Sequence, residues 1–191
     1  MSALAGPLHL VALVLVVSGA QKLGRPQPAG QAMADAGLPV PVRRQAVAGL
    51  VLGATEVATG LAVFAAPHPA TALWLAATYL GLAAFVVVLR RRDASASCGC
   101  FGSASTPPTT AHVVLNAAAA GVALAAAVAG VPDVVEVVDE GVGVALPYAL
   151  LVAIGAGLVL LSPTLLAQVR PVADRPGVRL FGPTETPGAL R

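Results

Sequence analysis

Scarcity of charge limits what this chain can fold into more than any motif does. Apolar runs fill residues 8–23, 46–66, 70–89, 112–131 and 142–166. The second run holds a single ionisable side chain, Glu56, and the third stops at Arg90-Arg91-Arg92. Charged residues make up 10% of the chain, against about 25% in soluble domains. Hydrophobic residues make up 57%, and mean hydropathy is +0.85. A run of roughly 20 apolar residues spans the hydrocarbon core as a helix. Lipid offers backbone groups no partner, so each run must satisfy its own hydrogen bonds. The expected fold is therefore all-α, a bundle of about five transmembrane helices over residues 1–169. Residues 170–191 form a proline- and arginine-rich tail with no packed structure expected.

The connections are legible too. Residues 24–45 are polar and punctuated by prolines, with a short helix expected over 29–36 before Gly37-Leu38-Pro39. Ala66-Pro67-His68-Pro69 is a tight turn, because proline blocks helix continuation. Thr109 or Thr110 suits the N-cap of the fourth run. Residues 132–141 are short and acidic, and Pro147 and Pro163 imply kinks in the fifth run. Ser18-Gly19-Ala20 has the small residues of a cleavage site, but no Lys or Arg precedes it. The first run is therefore read as a retained helix rather than a signal peptide.

Orientation follows from basic residues in short loops. Lys22, Arg25, Arg43 and Arg44 lie between the first two runs, Arg90 to Arg92 follow the third, and Arg170, Arg175, Arg179 and Arg191 follow the fifth. With five spans, all 11 fall on one side. The expectation is a multi-pass cell-membrane protein, N-terminus outside, C-terminus inside, with the loop after the third helix facing the cytoplasm. A net charge of +2 is too small to suggest nucleic acid as a partner; the lipid bilayer is the partner that composition implies.

That loop carries Cys98-Gly99-Cys100-Phe101-Gly102, with the only cysteines in the chain. A disulfide between i and i+2 needs unusual backbone angles, which Gly99 permits. Such a bond should be strained, and strained disulfides are the exchangeable ones. Arg90 to Arg92 could favour a thiolate if they come close. Two bland alternatives stand beside the redox dithiol: a reduced glycine-rich turn packed under Phe101, or a soft metal site. Two thiolates are too few for closed zinc, so copper(I) is the better metal candidate. No cofactor motif is evident.

Glu56 sits midway along its helix, where a carboxylate is costly unless paired or facing a cavity. Lys22 can reach inward from the end of the first helix. An intramembrane Lys22–Glu56 ion pair is expected, either fixing helix adjacency or serving as a proton site. Lys22 reaching the headgroups beside a protonated Glu56 is the alternative. His112 begins the fourth helix on the cysteine side and is a candidate base for a thiol, or an ordinary interfacial histidine. Asn116, one turn on, is expected to bond between helices. Trp74 and Tyr148 read as membrane anchors, His9 and His68 carry no assigned role, and Gly49, Gly53 and Gly60 suit close helix contact.

Three features together resemble the MauE family, membrane proteins of methylamine utilisation within the wider DoxX-like group. They are Ser18-Gly19-Ala20-Gln21-Lys22-Leu23 closing the first helix, Gly37-Leu38-Pro39 leading to Glu56 in the second, and Cys98-Gly99-Cys100-Phe101-Gly102 after the third. The similarity covers about residues 8–131. It implies a four-helix core with a C-terminal helix added, and a role in thiol–disulfide exchange or maturation of disulfide-containing proteins, often with a thioredoxin-like partner. It does not imply methylamine as this chain's own pathway. With no second cysteine pair, a relay across the bilayer would need a quinone, another subunit or movement of the loop. Two readings of other classes remain: a non-enzymatic assembly factor with structural cysteines, and a small proton-coupled transporter using Glu56.

Overall fold

The computed structural model describes residues 4–92, 109–130 and 133–168. The described residues are helices and short connections: α1 (Ala5–Gly24), α2 (Gln27–Asp35), a 3-10 turn (Val42–Arg44), α3 (Gln45–Ala65), α4 (Pro69–Arg92), α5 (Thr110–Ala129), α6 (Val134–Asp139) and α7 (Val142–Gln168). Among the described residues five stretches are long and apolar enough to cross a membrane: Ala5–Gly24, Val42–Ala65, Pro69–Arg92, Thr110–Ala129 and Val142–Leu161. At 1.5 Å per residue, a 20-residue helix spans about 30 Å, the depth of the hydrocarbon core.

The long helices pack as two close pairs. α1 lies along α3, and α4 lies along α5; α1–α5 and α3–α4 contacts join the pairs into a four-helix core, and α7 adds itself to α1. Small residues make the first pairing close. A Cβ on Gly19 would come 2.6 Å from the Gly53 carbonyl oxygen, and one on Gly53 would come 2.8 Å from the Gly19 carbonyl oxygen. Further along, a Cβ on Gly60 would lie 2.7 Å from the Ala12 carbonyl oxygen. The backbones therefore meet with nothing between them, as small residues allow in membrane helices. The second pairing is alanine-rich on the α5 side, with Ala119, Ala120, Ala123 and Ala126 all buried. Together with Leu8, Leu15, Leu75 and Tyr79 they form one continuous core. Tyr79 adds a polar pin, its hydroxyl donating to the Val11 carbonyl of α1 at 2.6 Å.

Large apolar side chains also cover the outside, among them Val51, Leu61, Leu73, Leu80, Leu151 and Leu158. In water such a surface would aggregate; in lipid it is the solvated face. α7 is continuous through Pro147 and Pro163, and a helix with apolar residues all round suits lipid on most sides.

The short helices depart from the sequence reading. α2 starts at Gln27 rather than Ala29, because Pro28 can occupy the first turn, where its missing N–H costs nothing. Gly37 then ends the segment at φ +81°, in the left-handed region where glycine is favoured. Residues 134–139 fold as α6 where only an acidic loop was expected, with the Asp133 carboxylate accepting from the Val135 N–H at its N-cap.

Candidate functional site

The antiparallel arrangement gathers one end of the bundle around the C-termini of α1 and α4 and the N-termini of α3 and α5. Lys22, Arg25, Arg43, Arg44 and Arg90 to Arg92 all lie at or beyond these helix ends, so this is the basic end. Cys98 and Cys100 lie outside the described residues; the segment that carries them leaves the bundle at Arg92 and returns at Thr109.

Lys22 and Glu56 come together. Lys22 Nζ donates to Glu56 Oε2 at 2.7 Å, and side-chain exposure is 3% for Lys22 and 0% for Glu56. The same ammonium donates to Ser18 Oγ, one turn back in α1, at 2.8 Å. The glycine crossing is what allows this. A Cβ on Gly19 would meet the Glu56 Cβ at 2.9 Å, and one on Gly53 would meet the Lys22 Cβ at 3.0 Å. The two charged residues thus spring from the point of closest helix approach, and opposite charge there offsets part of the cost of burying each. The second carboxylate oxygen, Glu56 Oε1, is buried with no hydrogen-bond partner among the described residues.

His112 stands in the first turn of α5. Thr109 holds its N-cap in an extended conformation, and the Thr109 N–H donates to His112 Nδ1 at 3.2 Å. The Thr109 hydroxyl also lies 2.8 Å from Nδ1. An acceptor Nδ1 leaves the imidazole proton on Nε2. In this state His112 offers a donor N–H, not a free base, to its surroundings. Those surroundings are a small cavity of about 40 Å³ that Ser18, Lys22, Tyr79 and Asn116 also line. A neighbouring cavity of about 160 Å³ shares Tyr79, His112 and Asn116 and extends to Val159 of α7. Asn116 turns onto its own helix, donating to the His112 carbonyl at 2.8 Å, instead of bridging to another helix. A neighbouring carbonyl on the same helix is within reach without ordering a second element, and it takes the bond.

At the opposite end the structure links residues to which sequence assigned no joint role. His9 is fully buried, stacks on Phe64 with ring centroids 5.2 Å apart, and shares a hydrogen bond through Nδ1 with the Tyr148 hydroxyl. This ties α7 to the core. No local signal could have found it, since the partners are 139 residues apart. Trp74 remains on the lipid-facing surface, and its Nε1 donates to Thr59 Oγ1 at 2.9 Å. His68 stays in the turn before α4, its Nδ1 accepting from the Ala70 N–H.

Fold and site together define a multi-pass helical membrane protein, built on a four-helix core with a buried Lys–Glu pair at a glycine crossing. The sequence profile of methylamine utilisation protein MauE matches residues 2–131, which run from α1 through α5. The chain belongs to the MauE family. No curated protein and no solved structure matches it. α7 lies beyond the matched region, so the match covers the four-helix core without the added helix.

Proposed function

We propose that the protein works in the cell membrane as a thiol–disulfide exchange or maturation factor, with Cys98 and Cys100 as its dithiol. One thiolate attacks a disulfide of a thioredoxin-like partner and forms a mixed disulfide. The second thiolate then attacks the bridging sulfur, releasing the partner with two thiols and leaving Cys98 and Cys100 as a disulfide. The reverse sequence oxidises the partner. His112 is assigned a positioning part, its Nε2–H stabilising a nearby thiolate. Lys22 and Glu56 are assigned to holding α1 against α3, so that the end of the bundle carrying the cysteine segment keeps its shape.

The reading is supported above all by a coincidence at one end of the molecule. The segment with the chain's only two cysteines returns to the bundle at Thr109, three residues before His112, which lines a cavity together with Ser18 and Lys22. Membership of the MauE family supports the membrane setting. The basic residues support a cytoplasmic address for that end.

A redox titration tests the chemistry. Purified protein is equilibrated with glutathione buffers and the thiols are alkylated and counted by mass. The dithiol is expected to convert to an intramolecular disulfide at a potential between about −270 and −120 mV, the range of exchange catalysts. Cysteines that stay reduced under every buffer would exclude exchange and leave the assembly factor as the reading.

A further inference from the structure

A groove of about 290 Å³ lies between α3 and α4 at the basic end, at the lower limit of ligand pockets, which run about 300–1,000 Å³. It forms because α3 and α4 pack less closely on each other than on α1 and α5 respectively. Leu52, Phe85 and Met33 give it apolar walls, α2 closes one end, and Lys22 lies at its base. The rim residues Thr55, Ala77 and Gly81 are exposed, so the groove opens sideways toward lipid.

We propose that this groove binds the ring of a neutral membrane quinone. The groove's lining favours a neutral head over an anionic one, because the arginines of this end are not part of it and Lys22 is its one charged residue. The Lys22 ammonium is already matched by Glu56 at 2.7 Å, so the base of the groove carries no net charge to attract a phosphate. The Thr55 and Thr78 hydroxyls donate to their own helix, at Val51 and Trp74, and add polarity without charge. An uncharged ring with polar edge atoms suits this mixture, and Phe85 supplies a ring face to pack against it. The sideways opening lets an isoprenoid tail stay in the bilayer.

Electron balance gives the site a purpose, and here the inference rests on the thiol–disulfide reading. Forming one disulfide from two thiols releases two electrons and two protons. A quinone takes up two of each and becomes a quinol. The chain has no second cysteine pair to receive them.

The test uses the full chain in detergent, a decyl-ubiquinone titration and the fluorescence of Trp74, the chain's single tryptophan, one turn from Thr78. Quenching is expected to saturate. A Cβ on Gly81 meets nothing within 4 Å, so Gly81→Leu adds bulk at the rim of the groove from a position with room for it. It is expected to weaken quinone binding at least about tenfold, with thermal unfolding unchanged. Ala77→Leu on the same rim serves as the second variant. Quenching that rises linearly without saturation, or equal affinity in both folded variants, would overturn the proposal. So would co-purified phospholipid that the quinone fails to displace. The Cys98→Ser/Cys100→Ser variant is expected to bind quinone as tightly as wild type. If wild type binds quinone yet its dithiol fails to reduce it, the groove stands and its role as electron acceptor falls; cysteines that stay reduced in every glutathione buffer while quinone still binds would instead sink the thiol–disulfide reading and leave the groove.

Discussion

Lys22 and Glu56 show how one pair of residues can be both costly and necessary. Each charge alone would be expensive in hydrocarbon. Together they neutralise each other at 2.7 Å, and Ser18 shares the load. Removing one partner leaves the other buried without compensation, which is worse than removing both. Lys22→Met and Glu56→Gln should each destabilise the fold, and the double variant should lose less than the sum. A double-mutant cycle by reversible unfolding in mixed micelles is expected to give a coupling of about 1–3 kcal/mol. Additive losses would mean the two side chains do not act on each other. The pair could be anticipated because a lone carboxylate in an apolar helix demands a partner, and the Lys22 stem can reach inward from the end of the first helix. Which Glu56 oxygen takes the ammonium could not, since only packing decides it.

The elements depend on glycine in opposite ways at different positions. At the α1–α3 crossing, Gly19 holds a place where any side chain meets backbone: its Cβ would lie 2.6 Å from the Gly53 carbonyl oxygen. Gly121 in α5 has open space, with nothing within 4 Å of a Cβ. Gly19→Ala is expected to cost about 1–3 kcal/mol, as overpacking does. Gly121→Ala is expected to stabilise by about 0.4–1 kcal/mol by restricting the unfolded chain. Unfolding in the same micelles checks both signs at once. Spans and the α3 packing glycines Gly49, Gly53 and Gly60 were readable in sequence because apolar length and small-residue spacing are local properties; the part of Gly19 in the crossing was not, because it depends on which helix α1 meets. α6 was not, because six residues with polar neighbours give no long apolar window. The His9–Tyr148 link was not, because it depends on where α7 docks.

At the scale of the molecule, the bundle sorts its residues by end. The basic helix termini, His112 and both flanks of the cysteine segment lie at one end, and the ion pair reaches inward from it to mid-helix Glu56; His9, Phe64 and Tyr148 lie at the other. The cytoplasmic address proposed for the basic end rests on the positive-inside rule and is open to a direct test. A membrane-impermeant maleimide should therefore label Cys98 and Cys100 in inverted vesicles and not in intact cells. Labelling from outside the intact cell would invert the topology. The cysteines' chemistry was readable only as a set of options, because a two-residue motif does not fix its own partners.

Thiol trapping in living cells tests the central claim most directly. Cells carrying Cys98→Ser or Cys100→Ser are quenched with acid, alkylated and resolved without reductant. One single variant should accumulate a mixed disulfide with a partner protein, because the resolving thiol is missing. The other single variant and the double variant should not. Absence of any mixed disulfide from both single variants, with full function in the double variant, would contradict thiol–disulfide exchange.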